Sequence, residues 1–111
     1  MHEQETFDAM VWHLRRQGTR CVNSMGDPVY RNTTGKMCAV GFLIPDSDYY
    51  KRMEGNSAIG DFVRDVLLKY GHNPKLCAQM QDIHDEADVK QWEREFRSVA
   101  KEFNLTYTPP A

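Results

Sequence analysis

The 111 residues are 41% hydrophobic and 27% charged, with a mean hydropathy of −0.67, a composition that fits one globular domain and excludes a disordered, fibrous or low-complexity chain. A formal charge of −2 and a pI near 6.0 exclude a generally basic polyanion binder while leaving room for a local basic patch. The longest apolar run, residues 37–44, is far shorter than the roughly 20 residues needed to cross a bilayer, so no membrane span is expected.

In chain order, Phe7, Met10, Val11 and Leu14 recur at helical spacing and predict a helix over residues 6–17, ended by Gly18. Residues 19–36 gather Asn23, Ser24, Gly26, Asp27, Pro28, Asn32 and Gly35. These turn formers predict a β-hairpin with arms 29–31 and 36–40, joined by Asn32-Thr33-Thr34-Gly35. The run 38–44, stopped by Pro45, fits either a short buried strand or one buried helical turn. Asp46-Ser47-Asp48 reads as a turn or cap, and residues 49–55 as a short irregular or helical stretch.

Ile59, Phe62, Val63, Val66, Leu67 and Tyr70 predict a core helix over residues 57–70, closed by Gly71. Asn73 followed by Pro74 predicts an N-cap, with Leu76, Met80, Ile83 and Ala87 as the buried stripe of the next helix. Asp88 and Gln91 make a capping-box pattern before a last helix that turns Val89, Trp92, Phe96, Val99, Ala100 and Phe103 inward and stops at Asn104. No internal repeat is read, and the tail from Thr106 to Ala111 reads as loose. The expected fold is therefore α+β, mainly α: one domain over residues 1–111, with about four helices and a small β-hairpin inserted after the first. Cys21, Cys38 and Cys77 form an odd set without a CxxC pair, and residues 1–5 do not read as a secretory leader, so the cytoplasm is the expected compartment.

Tyr30-Arg31, the turn ending at Gly35, and the segment Lys36-Met37-Cys38-Ala39-Val40-Gly41-Phe42-Leu43-Ile44-Pro45-Asp46 resemble a family of small uncharacterised proteins of tailed bacteriophages and prophages. Tyr49, Met53-Glu54-Gly55 and Ile83-His84-Asp85 ahead of a tryptophan-bearing last helix extend the resemblance over about residues 5–103. It implies a phage accessory protein acting in the cytoplasm of an infected bacterium, and brings no activity with it. Members often carry a second cysteine where this chain has Phe42, which takes away a cysteine pair for metal or redox chemistry.

His84-Asp85 invites comparison with metal-dependent phosphohydrolases, but on a helical wheel the two side chains diverge, which favours a boundary histidine bonded to a neighbour. A zinc site from Cys21, Cys38, Cys77 and His84 has suitable ligand types. However, Cys77 and His84 are separated by about 10.5 Å of helix rise, so small buried thiols are favoured. Cys38 beside Lys36 could be an activated nucleophile, and burial is the favoured reading there too.

Charge is more informative. Between residues 15 and 36, Arg15, Arg16, Arg20, Arg31 and Lys36 stand against Asp27 alone, a local net charge of +4. Arg31 and the amides near Gly35-Lys36 could hold a phosphate, with Tyr30 stacking on a base, unless these arginines pair with Asp82, Asp85, Glu86 and Asp88. Lys90, Arg94, Arg97 and Lys101 share one stripe of the last helix, fit to follow a nucleic-acid backbone or an acidic partner, although Glu86–Lys90 and Glu93–Arg97 have the spacing of helix-stabilising pairs. Trp12 lies off the apolar stripe and four residues before Arg16, a combination typical of interface anchors.

The chain is thus expected to work by binding, through Trp12, Arg16, Tyr30, Arg31 and Lys36, to a host macromolecule or to a second copy of itself, without a cofactor or metal. The alternatives are sequestration of a nucleotide or cyclic oligonucleotide, and a metal- or thiol-dependent enzyme centred on His84, Asp85 or Cys38.

Overall fold

In a computed structural model of the chain, residues 2–54 and 60–110 are described, Asp61 by its backbone alone. Among them are five α-helices: α1 (Glu3–Gln17), α2 (Ala39–Leu43), α3 (Asp61–Lys69), α4 (Pro74–Glu86) and α5 (Trp92–Glu102). Single 3-10 turns lie at Asp46–Asp48, Lys51–Met53 and Val89–Gln91. The short α2 packs against both α1 and α4, and α4 against α5, so Phe7, Met10, Leu14, Val40, Leu76, Met80 and Phe96 meet in one buried core.

Local chemistry accounts for the helix ends. Glu5 accepts the His2 N–H at 3.4 Å, so α1 starts three residues before its apolar stripe requires. It closes at Gly18, which takes φ +69° and returns its N–H to Leu14. The Asn73 side chain accepts the Lys75 N–H at 2.9 Å, with Pro74 in the first position of α4, as its sequence predicts.

Ahead of α5 the expected capping box is not formed. The Gln91 N–H goes to the Asp88 carbonyl at 2.8 Å in a 3-10 turn, and the α-helix begins only at Trp92. In α3, Val63 and Leu67 are buried as expected, whereas Phe62 is 50% exposed. Ser57 and Ile59, which the sequence places in that helix, lie outside the described residues.

The expected α+β class is overturned: the described residues hold no strand, and the hairpin is replaced by two isolated antiparallel bridges, Val22↔Pro28 and Arg31↔Met37. The reason is that, beyond the bonds from the Asn32 N–H to the Lys36 carbonyl and from the Cys38 N–H to the Tyr30 carbonyl, the second arm spends its backbone groups on side chains. Asn32 Oδ1 takes the Lys36 N–H at 3.0 Å. Gln17, reaching across from α1, takes the Met37 N–H at 2.9 Å and gives an N–H to the Met37 carbonyl at 2.8 Å. From Ala39 the chain is already helical, so the apolar run is the buried helical turn and not the strand.

Two turns nine residues apart form a repeat that the sequence reading missed. Asn23-Ser24-Met25-Gly26 and Asn32-Thr33-Thr34-Gly35 each place glycine at positive φ, +84° and +87°. In each turn the asparagine Oδ1 accepts two backbone N–H groups, from Met25 and Asp27 in the first and from Thr34 and Lys36 in the second. The paired Asn-x-x-Gly spacing was the available signal.

Candidate functional site

The five residues singled out by sequence do not form one surface. Tyr30 and Arg31 face inward, Trp12 and Arg16 face outward from α1, and Lys36 stands half-exposed on the second turn.

The inner group is a structural node. Tyr30 is 5% exposed, and burial pushes its phenol well above the usual tyrosine range. The Arg31 guanidinium bonds Asp46 at 2.7 Å and the Ile44 carbonyl, and lies over the Tyr49 ring at 4.6 Å. Glu54 accepts the backbone N–H of Tyr30 at 2.7 Å, that of Arg31 at 3.1 Å and the Tyr49 hydroxyl at 2.6 Å. Tyr30, Arg31, Asp46, Tyr49 and Glu54 are therefore tied to one another, which holds this part of the chain in place. A groove of about 760 Å³ opens between the two asparagine turns, with Arg31, Tyr49 and Glu54 in its wall.

His84 and Asp85 meet, contrary to the divergence expected from the helical wheel. His84 Nδ1 lies 2.7 Å from Asp85 Oδ1, since a wheel fixes Cα directions and leaves the rotamers free to converge. His84 is fully buried, and its Nε2 accepts the Cys21 N–H at 2.8 Å, so the proton sits on Nδ1 and is donated to Asp85. Gln81 also donates to Asp85 and accepts from the Val40 amide, so the network ties α2 and the first turn to α4.

All three thiols are buried and favour the protonated form. Burial pushes Cys21 to about 11, Cys77 to about 12 and Cys38 well above its ordinary value. Cys38 Sγ accepts the Gly41 N–H at 3.2 Å as the cap of α2. Among the described residues, no three His, Cys, Asp or Glu side chains are placed to hold a metal ion.

The outer group is different. Trp12 is 53% exposed, with the Arg16 guanidinium 5.2 Å above its ring and Phe42 of α2 at its edge. It lines a groove of about 530 Å³ whose other wall is the tail at Tyr107 and Thr108. The tail runs back along α1 instead of hanging loose from Thr106. Gln4 exchanges two hydrogen bonds with the Thr106 backbone, Arg15 donates to the Thr108 carbonyl at 2.7 Å, and the Tyr107 hydroxyl donates to Glu93 at 2.7 Å.

Among the described residues, the arginines of the basic segment form no ion pair with Asp82, Asp85, Glu86 or Asp88. Arg15 makes two bonds to Glu93, which hold that carboxyl below its ordinary value, and Arg20 donates to the Ala87 carbonyl. Glu93 is therefore spent on α1, and Arg97 instead lies over the Tyr107 ring at 5.1 Å. Lys90, Arg94, Arg97 and Lys101 form no ion pair among the described residues. The α5 carboxylates on the α4 side are placed elsewhere: Glu95 lines a groove with Asp82 and Glu86, and Glu102 accepts from Gln79. No helix among the described residues is long and apolar enough to cross a membrane. Comparison with protein families, curated proteins and solved structures finds no match to the chain.

Proposed function

We propose that the chain works by binding, and that the groove between α1 and the tail is its contact surface for a macromolecule of an infected bacterial cell. The observation that carries this reading is Trp12: a large ring left 53% exposed on a helix whose other face is fully packed, with a guanidinium over it. Exposed Trp and Arg in contact are the residue types that concentrate binding energy at interfaces. Tyr30 and Arg31 contribute from inside, by holding the turns and α2, while Lys36 adds charge at the margin.

The test is quantitative capture from bacterial extract by the intact chain and by Trp12→Ala. Truncating an interface anchor costs about 2 kcal/mol, or roughly 30-fold in affinity, and the exposed position leaves folding intact. A captured species retained equally by both proteins would remove the groove as the contact surface.

A further inference from the structure

The groove is one end of a longer track. From α5, the Arg97 guanidinium lies 5.1 Å from the centroid of the Tyr107 ring, and that of Arg15 in α1 lies 5.7 Å from the same ring. Tyr107 then shares the groove with Trp12, and Trp12 carries Arg16. To either side of Arg97 along α5, the exposed Arg94 and Lys101 continue the row at helical spacings of three and four residues, about 4.5 and 6 Å along the axis. The surface thus carries three cations on α5, the Tyr107 ring beside Arg97, a groove also lined by Asp8, and the Trp12 ring under Arg16. Only Arg15, set back against Glu93, is neutralised; Arg16, Arg94, Arg97 and Lys101 make no ion pair among the described residues.

Resting on the binding reading above, we infer that this track takes a single-stranded nucleic acid, with phosphates along Arg94, Arg97 and Lys101 and a base against Trp12. A row of separate point charges suits a polymer that carries one charge on every unit. A flat exposed ring above a filled core suits a base, which stacks without needing a pocket: Phe7 and Val11 beneath the groove are buried. An acidic peptide would bring carboxylates at irregular spacing, which a row of separate cations at helical intervals matches less well. The carboxylates Glu95 and Glu102 on the α4 side of α5 limit the basic face to one strip and disfavour a wrapped duplex. The chain's overall charge of −2 does not oppose this, because a single strand meets only the strip.

The experiment is fluorescence anisotropy of a labelled 12-nucleotide oligo-dT with the whole chain, read beside intrinsic tryptophan emission. Trp92 is 3% exposed and Trp12 is 53% exposed, so stacking quenches Trp12 selectively. With about four phosphates neutralised, affinity falls roughly 50-fold between 50 and 200 mM salt. Arg94→Gln/Arg97→Gln/Lys101→Gln, three exposed positions, reduces that fall to about threefold while keeping the wild-type Tm. Arg97→Gln alone gives an intermediate slope, so a poorly folded triple variant leaves the point decided. Trp12→Ala removes the quenching and weakens binding about tenfold.

Absence of oligonucleotide binding at 50 mM salt overturns the inference. So does equal binding of poly-glutamate without quenching, which would assign the track to an acidic protein. Trp12-dependent capture from nuclease-treated extract, together with either result, leaves the groove as a binding surface and removes only the nucleic acid. Loss of both removes both.

Discussion

The carboxylate of Glu54 accepts the backbone N–H of Tyr30 at 2.7 Å, and so stands in for a neighbouring strand at the place where sequence patterning expects a hairpin. Its second oxygen takes the Arg31 N–H and the Tyr49 hydroxyl, so one side chain satisfies three donors. Glu54→Gln turns an amide N–H toward one of those donors and costs about 2 kcal/mol. Urea unfolding should show a lower midpoint with an unchanged slope; an unchanged midpoint would show that water replaces the carboxylate without loss.

Gly41 is required by contact. A Cβ there would lie 2.1 Å from the Tyr30 carbonyl oxygen and 2.8 Å from its carbon. That carbonyl already accepts the Cys38 N–H at 3.0 Å and has little room to withdraw. Gly41→Ala should destabilise by about 3 kcal/mol, an overpacking cost, despite alanine's better helix propensity. A thermal midpoint equal to wild type would refute the close approach.

His84→Phe keeps an aromatic ring at the site and removes both bonds. The Cys21 N–H and the Asp85 carboxylate lose a buried partner, at a cost of about 3 kcal/mol. In the wild type, the Nδ1-protonated tautomer should be visible in the nitrogen shifts of the His84 ring. A proton found on Nε2 would contradict the arrangement.

His13 and His72 are both shifted below their ordinary value of 6.5, chiefly because burial disfavours the imidazolium. His13 reaches the Met37 carbonyl at 2.8 Å, and His72 Nδ1 reaches the Thr6 hydroxyl at 2.9 Å. The unfolded chain then takes up protons first as pH falls. Stability present above about 6.5 is lost as pH drops through that value toward the folded pKa, before most carboxylates titrate. Melting between about pH 8 and pH 5 should show the loss, and His13→Gln, which retains a donor for Met37, should flatten it. A Tm constant over that range would mean that neither ring resists protonation.

The helices were legible because their information is local. The stripe at Phe7, Met10, Val11 and Leu14, the Asn73-Pro74 start, and Gly18 and Asn104 as stops each act within one or two turns. The hairpin was not legible, because the fate of Met37 is decided by Gln17 and His13, which are 20 and 24 residues away. The same holds for the site. Trp12 could be placed outside the core by periodicity alone, but Tyr30 and Arg31 could not be placed inside it without knowing that Glu54, Asp46 and Ile44 converge on them. Tyr107 was missed because a tail rich in Thr and Pro gives no sign that Gln4 and Arg15 will pair with its backbone.

Asn104, at φ +56°, sends the Leu105 N–H back to Ala100 and reverses the chain at the end of α5. That one dihedral steers Tyr107 to a place near two guanidiniums contributed by different helices. A β-branched residue at position 104 would resist the left-handed angle and swing the last segment away, leaving Trp12 without the facing wall while the core beneath stayed intact. The shape of the surface is thus governed by a hinge that makes no contact with anything the surface would hold.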